Sequence, residues 1–378
     1  MSLSPQENER YARHLILPKF GETAQLMLKN AKAIVVGSGG LGTPALQYLT
    51  AAGVGTIGLI EFDSIEISNL QRQVLFRELD KGKKKGEVAI EFLQAQNPNV
   101  AFKWHDNKLT SENALDIIAK YDVIIDGSDN FPTRYLVNDA CVLLNKPFIY
   151  GSIHQFEGQV SVFNYNDGAN YRDVFPTPPA PELAPNCAQG GVIGALPGII
   201  GSMQALEAIK VITGIGSTLK NKIFAFNALD FKSHTIKIHK DPENPISGKK
   251  PTIKNLIDYE LFCNSDNQNQ NTMINEINVA ELKQWMDSGK EFTLIDVREN
   301  YEYEAANIKG ELIPLGEIEA KKAVIPNDKD VVIMCRSGVR SANAIQLLQI
   351  KYSYNNLFNL KGGIKAWANE IDTKMHVI

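Results

Sequence analysis

Along the chain, short β-branched apolar runs alternate with stretches whose apolar residues recur every three or four positions, the pattern of strands and helices taken in turn. Residues 5–30 read as a helical arm. Ala33-Ile34-Val35-Val36 is the first strand-like run, and it feeds a glycine turn that opens a helix through Ala45-Leu46-Gln47-Tyr48-Leu49. A second strand is expected at 58–63, a third at 122–130 and another at 159–163. Residues 191–212 form the most apolar window and read as a helix. The last hundred residues repeat the alternation, with a helix at 279–286, strands at 292–298 and 331–335, and a helix at 341–348. Strands and helices in alternation predict an α/β protein. Between the two series, residues 241–275 carry Pro242, Pro245, Gly248 and Pro251 and end in a polar run at 264–271. This predicts domains at 1–245 and 276–378 joined by a linker at 246–275. An apolar patch at 256–262 is expected to dock on one of the domains; fully flexible, ~30 residues would reach about 30 Å.

Composition narrows the class. A chain of 378 residues is too long for one ordinary core, and 44% hydrophobic with 22% charged residues suits a soluble globular protein. A net charge of −4 gives no reason to expect nucleic acid or an anionic membrane as partner. Gln204, Glu207 and Lys210 interrupt the apolar window, which argues for a packed helix over a membrane span. The first ten residues are polar and charged, unlike a signal segment. Cys141, Cys187, Cys263 and Cys335 are too scattered for a disulfide ladder. A cytoplasmic setting with reduced thiols is expected.

The candidate chemistry starts at the first strand. Gly37-Ser38-Gly39-Gly40-Leu41-Gly42 between strand and helix lets the backbone approach a phosphate, and the helix start offers free N–H groups. Glu61, about twenty residues on, ends the second strand where an acid holds a ribose hydroxyl. A nicotinamide dehydrogenase would share both features. It would have no use for Ser68-Asn69-Leu70-Gln71-Arg72-Gln73 or for Lys85 in the basic run 81–85. Cations there suit a triphosphate, whose negative charge opposes attack at phosphorus. At the end of the 122–130 strand, Asp129 is placed to hold Mg²⁺ through one carboxylate and phosphate oxygens, or to cap a helix.

In order and spacing, Gly37-x-Gly39-Gly40-Leu41-Gly42, Ser68 to Gln73, Lys85 and Ser128-Asp129-Asn130 resemble the E1-like activating enzymes. The molybdopterin-synthase and thiamin adenylyltransferases are the most similar group. The resemblance covers residues 5–240 and implies a Rossmann-like adenylating domain. It further implies ATP-dependent adenylation of the C-terminal carboxylate of a ubiquitin-like sulfur carrier ending in Gly-Gly. By the same resemblance Gly37, Gly39, Gly40, Gly42, Glu61 and Asn130 meet the nucleotide; Asn69, Arg72 and Lys85 meet the phosphates; Asp129 meets the metal. Arg13 matches an arginine that such homodimers donate to the neighbouring site. Cys187, before the apolar helix, matches a cysteine that some relatives use to hold the carrier, while a plain buried thiol suits the same position. Many relatives bind zinc through two C-x-x-C pairs. Here those positions read Asn170, Asp173, Asn244 and Ser247, which cannot supply four N or S ligands. No zinc is expected, and another contact must tie the crossover loop to the segment after Lys240.

The C-terminal alternation places Cys335 at a strand end, in Cys335-Arg336-Ser337-Gly338-Val339-Arg340 ahead of a helix, an anion nest around a nucleophile. With Asp296-Val297-Arg298 and Gly362-Gly363-Ile364-Lys365-Ala366-Trp367, it resembles a rhodanese domain over 275–372. The resemblance implies that Cys335 carries sulfur as a persulfide loaded by a donor such as a cysteine desulfurase, with Arg336 and Arg340 favouring the anion. A phosphatase would need Cys-x₅-Arg, and Ser341 stands where that arginine would be. The combined expectation is adenylation followed by sulfur transfer to form a thiocarboxylate, with Arg72, Lys85, Asp129, Cys187 and Cys335 as catalytic residues. A scaffold that docks carriers in response to nucleotide, and an enzyme passing the acyl group to an amine, remain the alternatives.

Overall fold

The computed structural model describes residues 2–179, 191–264 and 274–377. The chain forms two compact units, residues 1–266 and 267–378.

The first unit is built on eight strands: β1 (Lys32–Val36), β2 (Thr56–Ile60), β3 (Ala101–His105), β4 (Val123–Asp126), β5 (Phe148–His154), β6 (Glu157–Phe163), β7 (Lys222–Asn227) and β8 (Lys232–Lys237). Their order is β3-β2-β1-β4-β5-β6-β7-β8. The first five are parallel and β5 to β8 antiparallel. Successive side chains of β1 point to opposite faces. Ala33 and Val35 pack with Leu46, Leu49 and Ile57 on one face, and Ile34 and Val36 pack with Ile124, Tyr135 and Phe148 on the other. Both faces are covered, which is why β1 and β4 read as unbroken apolar runs.

Four strands of this sheet, β3, β5, β7 and β8, were not expected. β3 is an edge strand whose Phe102, Lys103, Trp104 and His105 mix ring, charge and imidazole, so it carries no apolar run. The strand expected as third is therefore β4. The apolar run of β5 is interrupted by Gly151 and Ser152, where Gln204 packs so closely that a Cβ on Gly151 would sit 2.4 Å from its Cδ.

Helix Ala195–Thr213 is long and apolar enough to cross a membrane by length and composition. In this unit it lies on β5, β6 and helix Gly42–Ala52 and buries Leu196, Ile200, Gln204, Ala205 and Ala208. Its apolar face is a packing face.

Most of the segment expected as linker belongs to the first unit. Residues 170–179 and 241–264 are joined through the four positions noted above. Asn170 Nδ2 donates to Ser247 Oγ at 2.7 Å, and Asn244 Nδ2 donates to Asp173 Oδ1 at 2.6 Å and to Asn170 Oδ1 at 3.3 Å. Asn244 Oδ1 accepts from the backbone N–H groups of Ile246 and Ser247. Beside this knot, Arg172 forms a two-pronged bond to Asp139 (2.7 and 2.8 Å) and stacks between Tyr135 and Phe262. Tyr259 donates to Asp139 as well, at 2.8 Å. The apolar patch thereby becomes helix Tyr259–Asn264, docked on helix Phe131–Leu143.

The second unit has five parallel strands, β9 (Asn275–Ile277), β10 (Thr293–Asp296), β11 (Glu311–Leu312), β12 (Val331–Met334) and β13 (Leu357–Leu360), in the order β11-β10-β12-β13-β9. β12 is central and fully buried, so Cys335 emerges at the middle of the sheet's carboxyl edge.

Candidate nucleotide cavity and cysteine loop

The register of the first sheet sets Val36 beside Ile60 and Asp126, so the loops after β1, β2 and β4 open side by side. Gly37 turns there with φ 92°, and a Cβ on Gly42 would sit 1.9 Å from the Gly37 carbonyl oxygen. Only glycine permits both. These loops wall a cavity of about 790 Å³, a volume in the range of small-molecule sites.

Gly37, Gly39, Gly40, Glu61, Arg72, Lys85, Asp129 and Asn130 all line this cavity. The buried carboxylate of Glu61 accepts from Ser38 N and Oγ (2.9 and 2.7 Å) and from Asp63 N at 2.9 Å, which pins it at the end of β2. Lys85 begins helix Lys85–Gln96 and is 6% exposed, with Nζ 3.3 Å from the exposed carboxylate of Asp63. Arg72 is half-buried and donates to Ser68 O at 2.9 Å. Asp129 is exposed, and Asn130 caps helix Phe131–Leu143 by accepting from Thr133 N.

Three expected residues lie off the cavity wall. Gly42 acts beneath the loop, through its close approach to Gly37. Asn69 is buried and accepts from Glu66 N in the turn 67–69. Arg13 is exposed on helix Ala12–Leu15. Cys187 lies outside the described residues.

The cavity also holds groups that sequence reasoning missed. Arg134 Nε donates to the buried Asp126 carboxylate at 3.0 Å, and its Nη2 donates to Ser128 O and Gly151 O, both at 3.3 Å. Burial opposes the charge on Arg134, but Asp126 more than compensates and raises its pKa above the ordinary arginine value. Asp126 and Arg134 lie eight positions apart across a strand, a turn and a helix. Their only sequence signal is an acid at a buried strand end followed by an arginine in the next helix. Glu260 and Cys263 of the docked helix also reach the wall. Burial pushes the Cys263 thiol up to about 12, so it stays protonated and a poor nucleophile.

In the second unit, Cys335 is 1% exposed and its Sγ accepts from Gly338 N at 3.1 Å. Gly338 has φ 95° and starts helix Val339–Tyr352. The Gly362-Gly363 pair serves the same loop. Ile364 N donates to Cys335 O and Lys365 N to Arg336 O (2.9 and 3.0 Å), which draws both carbonyls out of the nest. A Cβ on Gly363 would lie 2.3 Å from Cys335 O. The arginines do not act as expected in every case. Arg340 forms a two-pronged pair with Glu302, 2.7 Å at each prong, so its charge is shared between that carboxylate and the sulfur. Arg298 is fully buried against Asp296 (2.7 Å) and donates to Glu302 O and Ala306 O, a brace under the loop and not a ligand in it.

The comparisons with known proteins agree with both halves. Residues 11–246 match the ThiF family and residues 278–370 the rhodanese-like domain. A probable adenylyltransferase/sulfurtransferase MoeZ of Mycobacterium tuberculosis is 44% identical, over 99% of this chain and 96% of its own. A sulfur carrier protein adenylyltransferase of Thermus thermophilus is 48% identical, over 70% of this chain and 99% of its own. Among solved structures, E. coli MccB with ATP is similar at a TM-score of 0.56 and 25% identity, covering 63% of this chain and 74% of that one. The chain belongs to the ThiF family of E1-like enzymes and carries a rhodanese-like domain at its C-terminal end.

Proposed function

We propose that the first unit adenylates the C-terminal Gly-Gly carboxylate of a ubiquitin-like sulfur carrier, and that Cys335 of the second supplies the sulfur which converts it to a thiocarboxylate. The observation that carries this reading is a glycine-walled cavity lined by Arg72 and Lys85, in one chain with a cysteine nest. The carboxylate oxygen attacks the α-phosphorus and pyrophosphate leaves. Arg72 and Lys85 stabilise the charge that gathers on the phosphates, and the backbone around Gly39 and Gly40 lets them approach. Glu61, held by Ser38, is placed for the ribose.

A persulfide on Cys335 then attacks the acyl carbon and AMP leaves, since a persulfide is nucleophilic near neutral pH. A second thiol, Cys187 or an external reductant, attacks Cys335 Sγ of the resulting acyl disulfide, forms a disulfide with it and expels the thiocarboxylate. Sulfur in the same chain favours this outcome over transfer to an amine. Asp129 fits Mg²⁺, which takes one or two carboxylates together with phosphate oxygens. Mg²⁺ would neutralise phosphate charge there. Among the described residues no group of three or more His, Cys, Asp or Glu is arranged around a metal site.

Arg13, exposed and off its own cavity wall, reads as a residue given to a second copy, and exposed Tyr48 and Leu206 on the two packed helices offer apolar surface for a homodimer. A cytoplasmic setting, a cysteine desulfurase as donor, and a carrier of the molybdopterin, thiamin or tRNA-thiolation pathway complete the proposal. The test is ATP–pyrophosphate exchange with each purified Gly-Gly carrier. Exchange with one carrier identifies the partner, and ATP binding without exchange for any carrier favours the scaffold. A Cys335→Ala chain should still exchange pyrophosphate but form no thiocarboxylate.

A further inference from the structure

Behind the cysteine nest, one buried hydroxyl lies between two acceptors. Ser341 is 0% exposed in the first turn of helix Val339–Tyr352. Its Oγ is 2.7 Å from Asn359 Oδ1 and 3.4 Å from Cys335 Sγ. A serine hydroxyl carries one hydrogen, so it serves one acceptor at a time. Gly338 N–H is the other donor on Sγ. The charged groups around the sulfur are Arg336 of the loop and the Arg340–Glu302 pair, while β13 brings Asn359 and the 362–364 segment brings backbone. Ser341 adds to these a neutral side-chain donor on the buried side of Sγ.

We propose that Ser341 is a catalytic hydrogen-bond donor to the Cys335 thiolate, and that Asn359 takes the same hydrogen whenever Sγ is uncharged. The proposal rests on Cys335 being the sulfur carrier. In loading, the thiolate attacks the outer, protonated sulfur of a donor persulfide. The donor's S–S bond breaks, its electron pair leaves on the inner sulfur as a thiolate, and a new S–S bond forms on Sγ. Negative charge has then left Sγ, and the Ser341 hydrogen turns to Asn359 Oδ1. After the outer sulfur has gone to the acyl carbon and a thiol has cleaved the remaining disulfide on Sγ, taking the other sulfur into its own disulfide, Sγ leaves as a thiolate and the hydrogen returns.

The test is iodoacetamide alkylation of Cys335 in the full chain across pH, read by peptide mass spectrometry, beside the rate of loading from glutathione persulfide. Ser341→Ala should raise the alkylation midpoint by about one pH unit and slow loading about tenfold, the loss expected for one hydrogen bond to a charged group. Ser341→Thr, which keeps the hydroxyl, should recover both. Asn359→Ala removes the competing acceptor and should lower the midpoint, a change of opposite sign that a general loosening of the loop would not produce. If Ser341→Ala fails to fold, Asn359→Ala decides alone. Unmoved midpoints overturn the proposal, as does a midpoint that rises in Asn359→Ala. Full sulfur transfer by Cys335→Ala would instead overturn the carrier role on which it rests.

Discussion

The knot at the four positions 170, 173, 244 and 247 sets a definite expectation for Asn244→Ala. Asn244 is 1% exposed, donates to Asp173 Oδ1 at 2.6 Å, and accepts from Ile246 N and Ser247 N at 3.0 and 3.1 Å. Alanine removes one hydrogen bond to a charged acceptor, one to Asn170 Oδ1 and two from backbone donors. A net bond contributes about 1 kcal/mol and a bond to a charge about 1.5–3, so the loss is roughly 4.5–6 kcal/mol. For a unit of this size that is a fall of about 10–20 °C in melting temperature. The Asp173 carboxylate keeps Asp241 N (2.9 Å) and Asn170 N, which limits the damage. Differential scanning calorimetry on the full chain reads the transition of each unit, and only that of the first should move. Asn244→Asp sharpens the test, because it preserves shape but sets a second carboxylate against Asp173. At neutral pH it should be worse than alanine, and the difference should shrink in acid as one carboxylate takes up a proton. A fall of under about 2 °C for alanine, or an aspartate variant no worse than alanine at neutral pH, would refute the reasoning.

Lys85→Ala should reduce pyrophosphate exchange by roughly a hundredfold or more, as expected for losing a fixed charge beside a transferring phosphate, while the melting temperature hardly moves because its partner Asp63 is exposed. Gly42→Ala must displace the Gly37 carbonyl, only 1.9 Å from the new Cβ, and equilibrium dialysis should show ATP binding lost. Burial raises the pKa of Glu302, but hydrogen bonding to Arg340 outweighs it and holds the carboxyl below the ordinary value. Its stabilisation of the second unit is therefore complete above the unfolded pKa of about 4.3 and is lost as pH falls through the lower folded value. Calorimetry of wild type against Glu302→Gln should show a gap at pH 7 that closes in acid, and a gap constant down to pH 3 would remove the pair from the pH response.

Residues that act as contiguous motifs were legible in the sequence: the glycine turn, Glu61, Arg72, Lys85 and Cys335 each lie next to the strand or helix end that places them. What could not be read depends on distant partners. Nothing near Arg340 announces that Glu302 shares its charge, since the two are 38 positions apart. The docking of Tyr259–Asn264 rests on Arg172 and Asp139, from a loop and a helix far earlier in the chain. For that reason the first unit extends past the proline-rich stretch that looks like its end. β3 was hidden because an edge strand tolerates alternating charge, and its contribution shows only in three dimensions, where Trp104 Nε1 donates to Glu61 O at 2.8 Å.

The arginines show why residue type alone assigns function poorly. Arg134, Arg172, Arg298 and Arg340 each face a carboxylate at hydrogen-bond distance. A buried pair of this kind costs desolvation to form, and removing one partner strands the other charge, so these four hold strand ends, loops and a docked helix in place. Among the described residues no carboxylate pairs with Arg72, and Lys85 meets only the exposed Asp63 at 3.3 Å. An exposed partner screened by water competes weakly with a phosphate. Of the cations that line the cavity, Arg134 is spent on the buried Asp126, whereas Arg72, Lys85 and Lys108, whose partner Glu260 is also exposed, keep charge available between the glycine turn and Asp129. That distribution, more than the presence of basic residues, makes the cavity suited to a triphosphate.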